Sequence, residues 1–201
     1  MELGRTPVAL IIFLGTIGFS LFVMFKRQDL IQKLLLNPWN VYHRKQYWQV
    51  LTSGFIHIDF MHLIFNMITF FFFAFKLESM VGSLNFFIIY FGSMIAADIP
   101  SILKNKDNPN YNSLGASGAV SGVLFSFILF QPWSGIMIFP IPIPIPAVIF
   151  SVIYLIYCQV ALKKAQDGIN HDAHFWGALS GAIITIILIP NVLVHFLNTL
   201  F

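Results

Sequence analysis

The sequence has few charged residues and a single cysteine. Charged side chains make up 9% of its 201 residues, whereas a soluble domain carries roughly 25%. Hydrophobic residues make up 58%, and phenylalanine alone occurs 23 times. Cys158 by itself excludes an internal disulfide and argues against a metal cluster built from cysteines. These values indicate an integral membrane protein whose main solvent is lipid.

Concentrated positive charge is also missing from the chain. The formal net charge is only +3, and the 11 Lys and Arg residues lie in short connectors rather than in one patch. A protein that binds nucleic acid usually groups its basic residues. We therefore expect no nucleic-acid partner.

Six apolar stretches are candidates for membrane spans, because a helix needs about 20 mostly apolar residues to cross the hydrocarbon layer. They cover residues 7–25, 60–77, 84–103, 114–131, 146–162 and 173–196. The first is longer than the apolar part of a signal peptide, so we expect it to be retained. The sequence predicts an all-α integral membrane protein with one domain over residues 1–201, folded as a compact six-transmembrane-helix bundle.

Two connectors have distinctive sequences. Residues 29–36 are amphipathic and are expected to lie in the membrane interface. Residues 139–146, FPIPIPIP, have proline at every second position, which removes alternate backbone donors and forbids a helix. We predict an extended connector there. Asp59, just before the second span, is expected to cap the first turn of that helix.

Polar side chains within the candidate spans cluster at one end. His62 and Asn66 share a face of the second span, Ser117 lies in the first turn of the fourth, and His174 lies in the first turn of the sixth. The even-numbered helices of a six-span chain run in the same direction, so their N-terminal ends share one side of the membrane. Because polar side chains in lipid are costly and usually functional, the four residues are predicted to form a site.

Glycine spacing indicates how two of these helices approach each other. Gly118 and Gly122 form a G-x-x-x-G motif in the fourth span, and Gly177 and Gly181 form another in the sixth. Small residues at this spacing allow helix backbones to pack closely. If the two spans pack through these glycines, the serine and the histidine at their starts are brought together.

A serine beside a histidine is suited to acyl-transfer chemistry. His174 is the candidate base that would activate Ser117 as a nucleophile. Asp172 lies on a different part of the helix surface, which favours a dyad over a Ser-His-Asp triad. The Ser117 backbone N–H and the side chains of His62 and Asn66 are candidate donors to an oxyanion.

Other interpretations of these residues stay open. Taken singly, the polar residues and the string Gly115-x-Ser117-Gly118 are typical of helix packing. A transporter or channel would place ionisable groups through the full bilayer depth, whereas these lie at one end. A histidine metal site is a further alternative, and its candidate ligands would be His57, His62, His171 and His174. Because their spacings fit no tight ligand pattern, we expect no metal.

Together, the motifs resemble those of the rhomboid family of intramembrane serine proteases. The resemblance covers nearly the whole chain, in the family's order. It is carried by His57-x4-His62-x3-Asn66, Gly115-Ala116-Ser117-Gly118 and Ala173-His174-x2-Gly177-x3-Gly181, with Trp48 and Glu78-x3-Gly82 as further matches.

The resemblance implies a role for each residue of the cluster. Ser117 would be the nucleophile, His174 the base, and His62 and Asn66 members of the oxyanion hole. It also implies a rhomboid-like fold, no cofactor, and transmembrane protein substrates that are cut within or near a helix in the lipid bilayer. The alternative is an inactive relative that binds membrane helices without cutting them, although such relatives usually lack the serine or the histidine.

Two positions depart from the family pattern. Gln49 follows the loop tryptophan where the family often has arginine. Ser121 stands four residues after the nucleophile, where many members have an aromatic side chain that stacks on the catalytic histidine. Phe125, one turn further on, is a candidate substitute for that aromatic ring.

The family also implies an orientation. Its members place the N-terminus in the cytoplasm and the site on the extracytoplasmic side, and the small six-span form favours a bacterial plasma membrane. This orientation leaves only Arg5 and Lys76 of the basic residues inside, against the positive-inside tendency.

Overall fold

The computed structural model describes residues 5–138, 141–164 and 169–201. These residues form helices and one two-stranded antiparallel sheet. In chain order the elements are α1 (Pro7–Lys26), α2 (Ile31–Leu34), α3 (Pro38–Arg44), α4 (Gln49–Thr52), α5 (Phe60–Val81), α6 (Ser83–Asn105), α7 (Ser117–Phe130), β1 (Gly135–Ile138), β2 (Ile141–Pro146), α8 (Ala147–Lys164), α9 (His171–Leu188) and α10 (Val192–Leu200).

Three of the described helices, α1, α5 and α6, are long and apolar enough to cross a membrane. The pair α9 and α10 passes the same criteria jointly, although a bend of 111° separates the two helices. The helices α7 and α8 are apolar but shorter. The helical membrane architecture is therefore confirmed, whereas length and composition support three spans, or four with the bent pair, rather than the six that were predicted.

The predicted sixth span, residues 173–196, is wrong as a single helix. It breaks at Pro190, and the preceding residue, Ile189, has left the helical conformation with φ −128° and ψ 80°. Proline has no N–H to donate and disfavours helical backbone in the residue before it. The chain then turns into α10, where His195 Nε2 donates a hydrogen bond to the Phe130 carbonyl at the end of α7, at 2.9 Å.

The proline-rich connector is extended over its described residues, as predicted, but it is also paired. Strands β1 and β2 form an antiparallel hairpin in which Gly135 lies opposite Pro146 and Ile138 opposite Ile141. Because proline has no N–H, the alternate prolines leave β2 with backbone N–H donors along one edge only, which suits a strand with a single partner. In the part of the chain that the structure describes, this hairpin is the only named sheet, and the other named elements are helices. Residues 139–140 of the predicted connector lie outside the described residues.

Helix α7 lies at the centre of the bundle and packs against α5, α6 and α9. All of its 14 residues are buried except Ser117 and Phe130. Fourteen helical residues extend about 21 Å, which is less than the roughly 30 Å thickness of the hydrocarbon layer. Helix α7 is therefore enclosed by protein along nearly its whole length and is shorter than the helices that pack against it.

The long segment between α1 and α5 packs over the end of the bundle at which α7 begins. Leu35 and Leu36 are buried in the protein. Leu36 N donates to Ser113 O at 2.8 Å, and Ser113 N donates to Leu36 O at 2.9 Å. For these two leucines the expected contact with lipid is wrong, because the loop before α7 covers them instead.

Candidate active site

The starts of α7 and α9 are joined by one side chain. Asn170 caps α9, since its Oδ1 accepts from Ala173 N at 3.0 Å. Its Nδ2 donates to Ser113 Oγ in the loop before α7 at 3.1 Å, and to Ser101 Oγ near the end of α6 at 3.0 Å. The structure therefore fixes the N-terminal ends of α7 and α9 beside each other and beside the end of α6.

Helices α7 and α9 are in backbone contact along the two glycine motifs. Gly177 lies against the backbone of Gly118, and Gly181 lies against the backbone of Gly122. A Cβ atom on Gly177 or Gly181 would overlap these backbone atoms, and a backbone atom cannot rotate away as a side chain can. The two helices are thus as close as glycine allows.

The same contact places Ser117 and His174 at one end of the helix pair. A Cβ on Gly118 would lie 3.4 Å from the carbonyl oxygen of Ala173. Ser117 precedes the first of these residues and His174 follows the second, so both side chains emerge from the first turns that touch. Both side chains are half-buried.

A tyrosine that the sequence analysis missed stacks on His174. The Tyr154 ring, on α8, lies parallel to the imidazole, with centroids 6.3 Å apart and ring planes 11° apart. The Tyr154 hydroxyl is hydrogen-bonded to Ser121 Oγ at 2.8 Å. Phe125, the candidate substitute for the family's aromatic residue, instead contacts Tyr154, with centroids 5.7 Å apart. The aromatic ring that stacks on His174 therefore comes from a different helix than the nucleophile.

His57 holds the loop that leads into α7. Its Nε2 accepts from Ala116 N at 3.3 Å, and its Nδ1 lies 2.9 Å from Ser20 Oγ, which donates to Phe55 O at 2.8 Å. Since Nε2 is an acceptor, Nδ1 carries the proton and donates to the serine. Burial, together with the neighbouring His62, lowers the pKa of His57 to about 3. The imidazole is therefore neutral, and it fixes the peptide before Ser117.

His62 packs on the same loop. Its ring lies against Gly115, whose φ of +116° belongs to the region that favours glycine. A Cβ at this position would lie only 2.8 Å from His62 Nε2. The Asp59 cap is confirmed, because its Oδ1 accepts from His62 N at 2.7 Å. Asn66, one turn deeper and buried, donates through Nδ2 to His62 O at 3.0 Å.

A small polar cavity of about 20 Å³ opens beside the serine. This volume is enough for about one water molecule. No sequence motif marks its other polar residues, because they are distant from one another in the sequence. The lining includes Ser53, Asp98, Ser113, Gly115, Ser117 and Ala173.

Gln49, which stands where the family often has arginine, has a structural role. This side chain is fully buried, and its Oε1 accepts from Asn37 N at 3.1 Å. Its Nε2 donates to Gln46 Oε1 at 3.1 Å. Gln49 thus connects α3 and α4, and the segment that covers the site stays compact without the arginine of the family pattern.

Comparison with known proteins identifies relatives of the chain. The Rhomboid domain family model matches residues 44–191. The chain is 31% identical over 140 residues to Rhomboid protein 1, mitochondrial, of Saccharomyces cerevisiae, which covers 67% of this chain and 40% of that protein. It is 29% identical over 146 residues to Putative rhomboid protease YdcA of Bacillus subtilis, which covers 73% and 69%. It is 28% identical over 136 residues to Rhomboid protease GluP of Bacillus subtilis, which covers 68% and 25%.

Proposed function

The chain belongs to the rhomboid family, and on that premise we propose that it is an intramembrane serine endopeptidase. It would hydrolyse peptide bonds in or next to the transmembrane segments of membrane proteins. The observation that carries this proposal is the backbone contact between α7 and α9, since it joins the first turns that bear Ser117 and His174. Relatives that are named as proteases support the same activity.

The proposed reaction is acyl transfer through a dyad. His174 accepts the hydroxyl proton as Ser117 attacks the scissile carbonyl, and it then returns that proton to the leaving amine. Water, with His174 again as base, hydrolyses the acyl-enzyme. Asp172 is held elsewhere, since both of its oxygens accept from Lys104 Nζ at 2.7 Å. This ion pair favours a dyad over a triad.

Three groups are proposed to donate hydrogen bonds to the oxyanion. They are the Ser117 N–H, which lies at a helix start without an intrahelical partner, and the side chains of His62 and Asn66. The Asn66 amide retains a second N–H after its bond to the His62 carbonyl. Preorganised donors of this kind are usually the largest single contribution to catalysis of acyl transfer. No cofactor takes part in this scheme.

We propose that α7 and α8 complete a six-span arrangement despite their length. Helix α7 is enclosed by other helices, so it need not match the full hydrocarbon thickness. Helix α8 has 18 residues and extends about 27 Å, close to that thickness. The shortness of α7 would also let water reach the serine from one side. We place the protein in a bacterial plasma membrane, with the site on the extracytoplasmic side. Labelling of single cysteines introduced at Asn108 and Trp133 in a Cys158→Ala background tests that orientation.

Cleavage of a model transmembrane substrate by the purified protein tests the function. Ser117→Ala and His174→Ala should each lower kcat by at least about 10³-fold, because the loss of one member of a catalytic unit costs about as much as the loss of the whole unit. Ser79→Ala and His43→Ala, at exposed positions away from the site, are the matched controls. Cleavage that survives Ser117→Ala would rule out the mechanism. Binding without cleavage by the unaltered protein would favour the inactive-relative alternative.

A further inference from the structure

Three side chains that can bind a metal ion meet beside the proposed base. Cys158 of α8 and His171 and His174 of α9 each offer one ligand atom, and these atoms all lie within 4.8 Å of one another. Cys158 and His171 are buried, whereas His174 is half-buried. The two imidazole rings have centroids 6.0 Å apart. This cluster is made of one thiol and two imidazoles, each on a helix rather than on a loop.

The donor set is one that zinc prefers. Zn²⁺ binds cysteine sulfur at about 2.3 Å and histidine nitrogen at about 2.0–2.1 Å, usually with tetrahedral geometry. In that geometry neighbouring ligand atoms are about 3.3–3.6 Å apart. The three atoms lie within 4.8 Å of one another and are therefore at most about 1.5 Å too widely spaced, a distance that small side-chain rotations can close. Three protein ligands leave a fourth position for water.

The spacing of the histidines alone predicted no metal site. His171 and His174 are three residues apart on one helix face, but the third ligand comes from the preceding helix. In the sequence, Cys158 as a lone cysteine argues only against disulfides and cysteine clusters. The packing of α8 on α9 adds its thiol to the histidine pair, and sequence spacing cannot show this.

We propose that Cys158, His171 and His174 form an inhibitory binding site for Zn²⁺. This inference rests on the proposed function, since it depends on His174 as the base. A neutral imidazole has only one unprotonated nitrogen. When that nitrogen binds the ion, the ring can no longer accept the proton of Ser117. The Cys158 thiol binds as thiolate and releases its proton to solvent.

Two flanking tyrosines limit how the cluster can rearrange. Tyr154 stacks on His174, and the ring of Tyr157 lies edge-on to His171 with centroids 5.5 Å apart. These contacts restrict both imidazoles to small movements. Since His174 is the most exposed of the three ligands, the ion would approach from the side on which the substrate binds. Occupancy would thus block access as well as proton transfer.

Binding can be tested without any cleavage. Co²⁺ is added as a probe to the purified Ser117→Ala protein, and the thiolate-to-cobalt charge-transfer absorption is recorded. The absorption should be present in this protein and in its His43→Ala derivative, absent after Cys158→Ala, and weakened after His171→Ala. A Co²⁺ titration without a thiolate band would overturn the proposal. Because this protein lacks the nucleophile, the result does not depend on protease activity.

Inhibition is tested separately with the active protein. Zn²⁺ should abolish cleavage, and a chelator should restore it. Loss of a group that only supports a metal ligand often costs about 10–100-fold in affinity, so removal of the thiol should raise the half-inhibitory Zn²⁺ concentration at least about tenfold. Both Cys158→Ala and Cys158→Ser are measured, so that the test can still be made if one of the two variants does not fold.

The two experiments separate the possible failures. Equal inhibition of the unaltered protein and of the Cys158 and His171 variants would place the inhibitory ion elsewhere and overturn the proposal. A protein that never cuts would overturn the proposed function, while the Co²⁺ absorption would still decide whether the three residues bind metal. His43→Ala controls for ions bound by exposed histidines.

Discussion

The ring of Tyr154 lies parallel to the imidazole of His174, with centroids 6.3 Å apart, although the two residues belong to different helices. Ser121 holds the tyrosine hydroxyl at 2.8 Å. The family often has an aromatic residue at the position of Ser121, directly on the helix of the nucleophile. Here the ring comes from α8 and the serine anchors it. Ser121, which departs from the family pattern, is therefore in direct contact with Tyr154, which supplies the aromatic ring instead.

This arrangement predicts that the tyrosine ring matters more than its hydroxyl. Stacked aromatic pairs contribute about 0.5–1.5 kcal/mol beyond their buried area. Tyr154→Leu should therefore lower kcat up to about tenfold with little change in KM, because the base loses its orientation. Tyr154→Phe should cost only a few-fold. Kinetics on a transmembrane substrate measure both.

Ser121→Ala provides the matched control for the hydroxyl. It removes the same hydrogen bond as Tyr154→Phe, so the double variant should be no worse than either single one. An unchanged kcat in Tyr154→Leu, or a loss confined to KM, would contradict a role in orienting His174.

The glycine contacts predict opposite outcomes at two sets of glycines. Gly177→Ala and Gly181→Ala insert a methyl group into the backbone of α7 and should destabilise the protein by about 1–3 kcal/mol, with loss of cleavage. Gly15→Ala and Gly18→Ala have no atom within 4 Å of the added methyl. They should be neutral or stabilise the protein by up to about 1 kcal/mol, since alanine is the better helix former.

Thermal unfolding of all four variants in detergent, with cleavage measured in parallel, distinguishes the two sets. If all four alanines changed the midpoint equally, close approach of α7 and α9 would not explain the glycines. The comparison is matched because every variant makes the same chemical change within a helix.

The hydrogen bonds of His57 predict a pH dependence of stability. Burial lowers its pKa in the folded protein to about 3, compared with the ordinary histidine value of 6.5. Above pH 6.5 both states hold the neutral ring, so its contribution is constant. As the pH falls below that value, the unfolded chain takes up a proton that the folded protein excludes, and the free energy of unfolding falls by up to about 1.4 kcal/mol per pH unit.

Thermal midpoints measured from neutral to acidic pH check this prediction against His57→Gln, which has no titrating ring. The side chains of Asp59 and His62 also face this ring, and both remain in the variant. Only the difference between the two pH profiles therefore reports His57. Parallel profiles would show that the network does not hold a neutral imidazole.

The buried side chain of Glu78 on α5 links this helix to the start of α1, and we predict that this link stabilises the protein. Glu78 is 1% exposed, and its two carboxylate oxygens accept from Val8 N at 3.1 Å and Ala9 N at 2.6 Å, at the start of α1. Ser83 Oγ donates to Oε1 at 2.6 Å. Glu78→Ala leaves these donors without an acceptor and should cost about 2–3 kcal/mol or more. Glu78→Gln, which keeps one acceptor oxygen, should cost less.

The exposed neighbour Ser79→Ala is the control in the same helical turn, and thermal unfolding is again the measurement. A Glu78→Ala midpoint equal to that of Ser79→Ala would show that the link contributes nothing to stability.

The sequence alone predicted the features that depend on residues close to one another along the chain. Hydrophobic length predicted the three helices that are long enough to cross a membrane, α1, α5 and α6, because backbone groups in lipid must be satisfied within the helix itself. Alternate prolines predicted the extended connector, and Asp59 marked the start of α5. Alternation of helix direction predicted that Ser117 and His174 lie at a common end of the bundle. The break at Pro190 was also present in the sequence, but the apolar run around it suggested a continuous helix.

The tertiary structure decided which side chains meet across helices. The stacking of Tyr154 on His174, the link from Glu78 to α1 and the grouping of Cys158 with two histidines all join separate elements. No spacing rule predicts them, because each depends on how far a helix rotates and slides when its surface packs against another. In a chain this rich in apolar residues many rotations bury similar area. The glycine contacts and the few polar hydrogen bonds select one of them.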